Sequence, residues 1–544
     1  MSAPTPLAAP APVRPASSTD EGRRPSWWRS AIAGLVAAAI ALAIGELIAG
    51  LSDRLTSPVI SVGNRVVDAV PRQVKDFAIE TFGQNDKKAL LIGIYSIAAV
   101  FGLLLGFLAA RRFVIGVVGI AAFGAVGVWA AGQEVGAPWW AGLPSVLGAV
   151  LGIVALAALL ATIRGAARPA LAAPVARAAG TEGGPATGPL ARRSFLKATA
   201  GVVVVGAAAA STGRWLQGRF SAAASRLAVV LPKAQTPAEA VPTGTDLGVE
   251  GISRYITPNA DFYRIDTNLT VPQISTEDWT LKITGMVDEE LELTYEDVLA
   301  LPMVEERITM TCVSNEIGGT LVGNALWLGT PLEDLLDKAG IKKGADQIVG
   351  RAFDGFTTGW PVENLRDGRR PLLVVGMNGE ALPLAHGFPA RLIVPGLYGY
   401  VSATKWLTEI ELTTFDKFDQ YWVERDWAAE GPIKTMARID TPKGLGKAPA
   451  GKVPVGGVAW AQTRGISKVE VKIDDGEWTP AKLAAEDGKV TWRQWVYEWD
   501  ATPGRHTITA RATDGEGEVQ TEERAKPFPN GASGWHQIVA LIEE

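Results

Sequence analysis

The stretch Arg307-Ile308-Thr309-Met310-Thr311-Cys312-Val313-Ser314-Asn315 decides the fold, because it contains Cys312, the only cysteine among 544 residues. A single cysteine cannot form a disulfide within its own chain, so Cys312 is either a small buried apolar side chain or a group with a chemical use. It lies in a loop after a β-type run, a position that would hold the sulfur rigidly. The residues downstream of Cys312 favour the chemical use.

The composition indicates several domains and a membrane part. At 57.4 kDa, with 47% hydrophobic residues and a mean hydropathy of +0.15, the chain is too long for one domain and too apolar to be wholly soluble. The net charge of −5 is small for this length and indicates no basic surface, so nucleic acid is excluded as a partner.

The N-terminal part has the pattern of a membrane region. Residues 1–29 are rich in Pro, Ala and Ser and predict a disordered cytoplasmic tail. The apolar runs that follow within residues 30–164 each have about the 20 residues that a helix needs to cross a bilayer. The sequence therefore predicts a four-helix transmembrane bundle, with spans at about 31–51, 89–110, 113–132 and 143–163.

Basic residues set the predicted orientation of these spans, because short cytoplasmic loops are enriched in Lys and Arg. They lie before the first span, between the second and third, and after the fourth: Arg23, Arg24 and Arg29; Arg111 and Arg112; Arg164 and Arg168. All of them then face the cytoplasm.

Haem binding by this bundle is not expected. A haem held between helices needs His or Met ligands. The chain has only His386, His506 and His536, and no methionine falls in any predicted span. We therefore expect no b-type haem there, and an anchoring or partner-docking role for the membrane region.

A linker at residues 165–190 leads to Ala191-Arg192-Arg193-Ser194-Phe195-Leu196-Lys197 and then to an apolar stretch at residues 198–210. That stretch is short and weak for a membrane span, and residues 191–213 are similar to a twin-arginine signal, which exports proteins already folded around a cofactor. A positive-inside flank is the alternative. Both interpretations put the chain after Gly213 outside the cytoplasm, and cleavage at Ala208-Ala209-Ala210 is left open.

The exported half divides into two predicted domains. Residues 245–431 mix alternating strands, such as Trp279 to Thr284, with short helices capped by Thr294 and closed by Gly340, which indicates an α+β domain. Residues 432–544 carry alternating strands before Asp-Gly turns, which is typical of a β-sandwich.

Separate motifs give this half a resemblance to the sulfite oxidase family of molybdenum enzymes. They are Asp261-Phe262-Tyr263-Arg264, Met310-Thr311-Cys312 with Asn315, His386-Gly387-Phe388-Pro389-Ala390-Arg391, Val394-Pro395-Gly396 with Lys405-Trp406, and Ile433-Lys434-Thr435-Met436-Ala437-Arg438-Ile439. The likeness covers residues from about 250 to 544 and none of the membrane part. It implies a molybdopterin-binding domain followed by an immunoglobulin-like β-sandwich, of the kind that often pairs subunits into a homodimer.

The resemblance also implies the cofactor site. Cys312 would complete the coordination of molybdenum held by the dithiolene sulfurs of one molybdopterin, and a soft thiolate suits such a metal. The implied cofactor-binding residues are Phe262, Tyr263, Arg264, Asp354, His386, Arg391, Ser402, Thr404 and Lys405.

The implied substrate is a small oxyanion, oriented by Arg264 and Arg464 beside the metal. Two departures from the family put sulfite in doubt: Ile317 stands where a further arginine is expected, and Phe356 or Thr357 where a tyrosine is expected. The chain has no cytochrome b5-type domain and no Cys-x-x-Cys-His motif, so a separate electron carrier is expected.

The sequence thus predicts a multi-pass protein of a bacterial cell membrane with an extracytoplasmic molybdenum site. It would move an oxygen atom and two electrons, with sulfite oxidation as the leading hypothesis. Reduction of sulfoxides of the methionine sulfoxide type is one alternative. A non-catalytic, membrane-tethered binding module is the other.

Overall fold

The structure is a computed structural model that describes residues 27–544 except 53, 72–73, 75–76, 78–80, 83–85, 165–188 and 220. Most of the predicted tail and linker therefore lies outside the described residues. The chain forms two compact units, a helical unit that ends at Gly218 and a second unit that begins at Arg219 and includes residues 134–136.

The helical unit is built from long apolar helices. Their bounds are α1 Trp27–Ala49, α2 Pro58–Ala69, α3 Asp86–Arg111, α4 Phe113–Gly132, α5 Leu143–Arg164 and α6 Pro189–Gly218. Among the described residues, five helices are long and apolar enough to cross a membrane. The four predicted spans coincide with α1, α3, α4 and α5.

Helix α6 corrects one expectation. The apolar stretch at residues 198–210 was expected to be too short for a span, but it lies inside a helix of 30 residues. Small residues on α6 allow close packing against α1: a Cβ added at Gly213 would lie 2.6 Å from the carbonyl oxygen of Glu46, and one at Gly206 2.8 Å from Ile40. The twin-arginine signal stays a prediction.

The second unit starts with a short helix, which four β-sheets follow along the described chain. Helix α7 is Ala223–Ala228. The strands of the α+β part are β1 Thr280–Gly285, β2 Leu291–Thr294, β3 Val304–Thr311, β4 Val322–Pro331, β5 Gln347–Ala352, β6 Thr357–Pro361, β7 Leu372–Met377, β8 Glu380–Ala381, β9 Arg391–Ile393 and β10 Leu407–Thr413. One sheet has the order β2-β1-β10-β5-β6; the other has the order β3-β4-β7-β8, with β9 paired to β7.

Short helices complete this α+β part, as the sequence predicts. Helix α8, Tyr295–Leu299, starts at a capping box in which Thr294 and Asp297 exchange hydrogen bonds. Helix α9, Leu332–Ala339, ends at Gly340 with φ of 70°. Helix α10 is Gly399–Ser402. Strand β7 is buried along its whole length, which explains its uninterrupted run of apolar residues.

Residues 432–544 form two further sheets over one shared core. Their strands are β11 Met436–Thr441, β12 Lys447–Pro449, β13 Gly451–Trp460, β14 Ile466–Ile473, β15 Thr479–Pro480, β16 Lys482–Leu483, β17 Arg493–Ala501, β18 Gly504–Asp514 and β19 His536–Glu543. The sheet orders are β11-β13-β17-β16 and β12-β19-β18-β14-β15. Residues of both sheets, such as Trp495 and Ile508, pack in one cluster. The immunoglobulin-like arrangement stays a prediction.

The C-terminal sheets hold the strand that precedes Cys312. Trp492 N–H donates to Thr309 Oγ1 at 2.7 Å, and Gln462 Nε2 donates to the Thr309 carbonyl at 2.8 Å. Arg307, on the same strand, forms an ion pair with Asp487 in which both side chains are nearly buried. Residues 245–431 and 432–544 therefore belong to one compact unit.

The Arg307–Asp487 pair predicts a stability change. Asp487→Asn leaves a guanidinium that is only 11% exposed without its carboxylate, so we expect the free energy of unfolding to fall by about 3 kcal/mol. Asp500→Asn is the control, because Asp500 and its partner Lys452 are 78% and 70% exposed and such pairs contribute little. Denaturant unfolding followed by tryptophan fluorescence measures both, and equal effects would contradict this account.

Candidate active site

Cys312 lies directly after β3 in a turn fixed by hydrogen bonds. Its N–H donates to the Leu321 carbonyl at 2.9 Å, and its carbonyl accepts from Asn315 N–H at 3.0 Å. The Asn315 side chain accepts from Leu321 N–H at 2.8 Å, which closes the turn. The thiol is 8% exposed, and burial raises its pKa, against hydrogen bonds at Ser314 and the charge of Lys405. A buried sulfur in a fixed turn is suited to holding a metal.

His386, Arg391 and Lys405 are brought together around Gly387. This glycine has φ of 111°, and a Cβ there would lie 3.1 Å from both Arg391 and Lys405. A side chain at this position would be strained and crowded, so glycine permits the close approach. The sequence predicted all three as cofactor residues, and the structure places them in one group.

Arg391 is a buried cation that lacks a carboxylate partner in the described part of the chain. It is 4% exposed, and its guanidinium donates to the His386 carbonyl at 3.0 Å and to Met310 Sδ at 3.6 Å. Burial lowers its pKa to about 10. Because a buried charge is costly unless it is paired, this guanidinium is suited to an anionic ligand.

His386 is held in its neutral form. Its Nε2 lies 3.0 Å from the Asn259 carbonyl, which can only accept, so Nε2 carries the proton and Nδ1 is an acceptor. Burial lowers the pKa of His386 to about 4, and the charges of Arg391, Lys405 and Arg264 add to this effect. His386 therefore contributes a hydrogen bond rather than a charge near neutral pH.

Asp266 links Arg264 and Lys405, and sequence reasoning missed it. Its side chain is 4% exposed and accepts from Arg264 Nε at 2.6 Å and from Lys405 Nζ at 2.9 Å. Burial still lowers the pKa of Lys405 to about 8. Asp354 lies close to both Asp266 and Lys405, and burial raises its pKa. The sequence signal that could have indicated Asp266 is its position two residues after Arg264.

Aromatic side chains form the wall beside the cations. Phe262 stacks on Tyr263 at 5.2 Å and meets the ring of His386 edge-on at 5.6 Å. The pKa of the Tyr263 hydroxyl is raised by burial and by the nearby Cys312, while the nearby Arg391 lowers it. The predicted Phe262 and Tyr263 thus belong to the group.

Tyr398 is a second residue that the sequence did not single out. It is 3% exposed, and its pKa is raised to about 12 by burial, with a contribution from Cys312. Its hydroxyl accepts from Lys434 N–H at 3.4 Å. Tyr398 stays protonated at neutral pH and places a hydroxyl on the Cys312 side of the site.

The side chains of three predicted site residues, Ser402, Thr404 and Arg464, form hydrogen bonds with other groups of the protein. Ser402 donates to the Tyr398 carbonyl at 3.1 Å, and Thr404 shares a hydrogen bond of 2.7 Å with Thr358. Arg464 Nε donates to Asp514 at 2.7 Å and its Nη2 to Thr435 at 3.0 Å. The structure records no contact of Arg464 with Cys312 or the cations around Gly387, so its substrate role stays a prediction.

A cleft of about 610 Å³ opens beside these residues. It is lined by Phe262, Arg264, His386, Asn259, Glu380 and the segment around α7. Deeper in the domain, Thr311 Oγ1 and Gln462 Oε1 are buried without a hydrogen-bond partner. No group of three His, Cys, Asp or Glu side chains in the described ranges could hold a metal alone. The donor set therefore fits a metal that arrives with an anionic, polar cofactor.

The comparisons with known proteins agree with this donor set. The family model "Oxidoreductase molybdopterin binding domain" matches residues 268–422. The uncharacterized oxidoreductase YuiH of Bacillus subtilis (strain 168) is 34% identical over 153 residues, covering 28% of this chain and 74% of that protein. The chain belongs to the sulfite oxidase family of molybdopterin-dependent oxidoreductases.

More distant relatives in this family cover more of the chain. Mitochondrial sulfite oxidase of Macaca fascicularis is 27% identical over 341 residues, covering 53% of this chain and 62% of that protein. The chain spans less than two thirds of the length of the mitochondrial sulfite oxidases it matches. The solved structure of the sulfane dehydrogenase SoxCD from Paracoccus pantotrophus matches at a TM-score of 0.47 and 23% identity, covering 54% of this chain and 85% of that one.

The range of the family match covers some of the predicted site residues and not others. The matched range includes Cys312, His386, Arg391 and Lys405 and excludes Arg264 and Arg464. Most of the predicted cofactor residues thus lie within the matched range, while Phe262, Tyr263 and both predicted substrate arginines lie outside it.

Replacement of Arg391 should change the stability of the cofactor-free protein and the retention of the cofactor in opposite directions. In cofactor-free protein, Arg391→Leu removes a costly buried charge and should raise the free energy of unfolding by about 2 kcal/mol. In protein from molybdenum-supplied cells, the same change should lower the retained cofactor about tenfold, since a charged hydrogen-bond donor is lost. Thermal unfolding and pterin fluorescence measure the two effects.

Arg438→Leu is the matched control. Arg438 is 5% exposed, but it pairs with Asp440 at 2.6 Å. Its replacement strands a buried carboxylate and should destabilise the cofactor-free protein. Destabilisation by both substitutions would contradict the assignment of Arg391 to an anionic ligand.

Proposed function

We propose that this protein is a membrane-anchored, extracytoplasmic molybdenum oxidoreductase that oxidises sulfite to sulfate and passes two electrons to a separate carrier. The observation that carries the proposal is the buried guanidinium of Arg391, which has no carboxylate partner among the described residues and donates to Met310, two residues before Cys312. A thiol alone would suit a packing role, and a cation alone would suit a structural one. Together they match a cofactor that brings both a metal and a phosphate.

Each residue of the group has a distinct role in this proposal. Cys312 would hold the metal, and Arg391 and Lys405 would bind the anionic groups of molybdopterin. His386 Nδ1, kept unprotonated near neutral pH, would accept a hydrogen bond. When bound, the cofactor supplies the centre at which an oxygen atom and two electrons are exchanged with the substrate.

The protein side of the reaction rests on charge and orientation. Sulfite and water give sulfate, two protons and two electrons, so the substrate and product are both anions. Arg264 lines the cleft and would orient the oxyanion, while Asp266 keeps its guanidinium in place. The Tyr398 hydroxyl, protonated at neutral pH, would donate a hydrogen bond on the Cys312 side.

The proposed location follows from the helices and the basic residues. Five spans would place residues 219–544 on the side of the membrane opposite the N terminus. Arg111, Arg112 and Arg164 would then face the cytoplasm. Digestion of intact cells or spheroplasts by added protease tests this, since an unreachable second unit would contradict the topology.

Replacement of Cys312 tests the central role. Wild-type protein from molybdenum-supplied cells should contain about one molybdenum per chain and reduce ferricyanide when sulfite is added. Cys312→Ser should lose sulfite-dependent turnover by at least about a thousandfold, since a hydroxyl is a poor ligand for a metal bound by sulfur. A variant that kept its molybdenum and its turnover would contradict the metal-ligand role.

Sulfoxide reduction is the second candidate, and one observation favours it. Arg464 is paired with Asp514 and hydrogen bonded to Thr435, and Ile317 supplies no charge, so few cations are free for a dianion. A neutral sulfoxide needs no such charge. Assays of the same preparation with sulfoxides and a reduced dye decide between the two: turnover of sulfoxides without turnover of sulfite would replace the leading proposal.

A further inference from the structure

The segment of residues 221–231, here called the strap, forms one wall of the cleft beside His386. It contains α7, and Ala223, Arg226 and Leu227 line the cleft opposite Phe262 and His386. None of the six residues of α7 is buried. A helix this short, with no buried face, cannot stay in place through its own packing, so other contacts must hold it.

Two neighbouring residues of α7 hold the strap: Ser225 exchanges hydrogen bonds with Thr276 at 2.9 and 3.0 Å, and Arg226 contacts the far side of the cleft. Its Nε donates to the Ala381 and Leu382 carbonyls at 3.1 and 2.8 Å, and its Nη2 donates to Ala381 at 2.7 Å. It also forms an ion pair of 3.0 Å with Glu380. One side chain therefore ties α7 to the β7–β8 hairpin.

Hydrogen bonds connect Glu380, the partner of Arg226, to His386 through Asn259. Glu380 accepts from Asn259 Nδ2 at 2.5 Å, and the Asn259 carbonyl accepts from His386 Nε2 at 3.0 Å. Hydrogen bonds from Asn259 and Arg226 lower the pKa of Glu380, so it is ionised at neutral pH. The fastening of the strap and the orientation of His386 thus depend on one carboxylate.

Both ends of the strap are anchored as well. Ala222 is 3% exposed, packs in the cluster that contains Phe262, and its N–H donates to Gln273 at 3.0 Å. Leu231, at the other end, packs against the same cluster. Between them Leu227 is 79% exposed on the cleft wall, where a bound ring would cover it.

We propose that the strap is a cofactor-retaining wall and that Arg226 is the positioning residue that keeps it closed. Movement of the strap away from the cleft would remove one wall from around a bound molybdopterin, and it breaks the contacts of Arg226 with Glu380, Ala381 and Leu382. Arg226 therefore sets the rate of cofactor loss without contacting the reacting atoms. This inference rests on the proposed function, because it takes molybdopterin as the occupant of the cleft.

The test measures cofactor release from full-length protein in detergent. Loaded wild-type, Arg226→Ala and Arg226→Lys proteins are incubated and desalted at intervals, and the retained molybdenum and pterin are quantified. Arg226→Ala should release pterin about tenfold faster, because charge-assisted hydrogen bonds of this kind shift an equilibrium by roughly that factor. Arg226→Lys should fall between the two, because it keeps the ion pair but loses the forked contacts.

A matched control separates this role from a general loss of stability. Arg351 also pairs with a carboxylate, Glu411, and both side chains are partly exposed, but Arg351 does not line the cleft. Arg351→Ala should release pterin at the wild-type rate, and cofactor-free Arg226→Ala should unfold at the wild-type temperature. Glu380→Gln, at a half-exposed position, should accelerate release as Arg226→Ala does.

Different results overturn different claims. Release from Arg226→Ala within twofold of wild type, or equal acceleration by Arg351→Ala, overturns the role of the strap alone. A wild-type preparation that contains neither molybdenum nor pterin overturns the proposed function itself.

Discussion

The position of the Cys312 sulfur depends on one constraint: strand β3 is held from both of its edges and at its end. Along its length β3 pairs with β4, from Val304 to Thr311. From the other side, Thr309 is bound by Gln462 and Trp492, which lie in the loops next to the C-terminal strands β13 and β17. A thiol at the end of a strand held in this way has little freedom, which is what a metal ligand requires.

This constraint explains why the C-terminal sheets belong to the same compact unit as the site. Beyond Cys312, Arg438 donates to the Gly319 carbonyl at 3.0 Å, and Gly318, with φ of 77°, leaves room for the His536 ring. The C-terminal sheets therefore brace the cysteine turn on both sides. A chain that lacked them would keep its thiol but would lose the supports that fix its position.

The buried cations lower the stability of the cofactor-free protein and favour the binding of an anionic ligand. Arg391 and Lys405 both have pKa values lowered by burial, which means that the protein resists their charged forms. A ligand that binds only the folded protein and supplies negative charge offsets this cost. Folding around the cofactor would thus be more favourable than folding before it, which gives physical sense to a predicted signal for export of folded protein at Arg192-Arg193.

The sequence predicted features that depend on neighbouring residues, and it missed contacts between residues far apart along the chain. The cap at Thr294, the end of α9 at Gly340 and the turn at Cys312 depend on neighbouring residues, and all were found. The family motifs predicted His386, Arg391 and Lys405 as site residues. A motif contains only residues that are close in sequence, so it does not predict contacts with residues far along the chain. Arg226 lies 155 residues from Ala381, so no local pattern reveals their contact. Helix α6 was taken as too short because only its apolar centre was counted.

The balance of charge around the cleft bears on the substrate. Asp266 is shared by Arg264 and Lys405, and Asp514 neutralises Arg464. Asp266 offsets one of the two positive charges of Arg264 and Lys405, so this group keeps a surplus of positive charge in addition to the charge of the buried Arg391. A dianionic substrate would have to compete with Asp266 for Arg264, whereas a neutral one would leave that ion pair intact. Under the proposed function, the Arg264–Asp266 pair would be the contact at which substrate charge is distinguished.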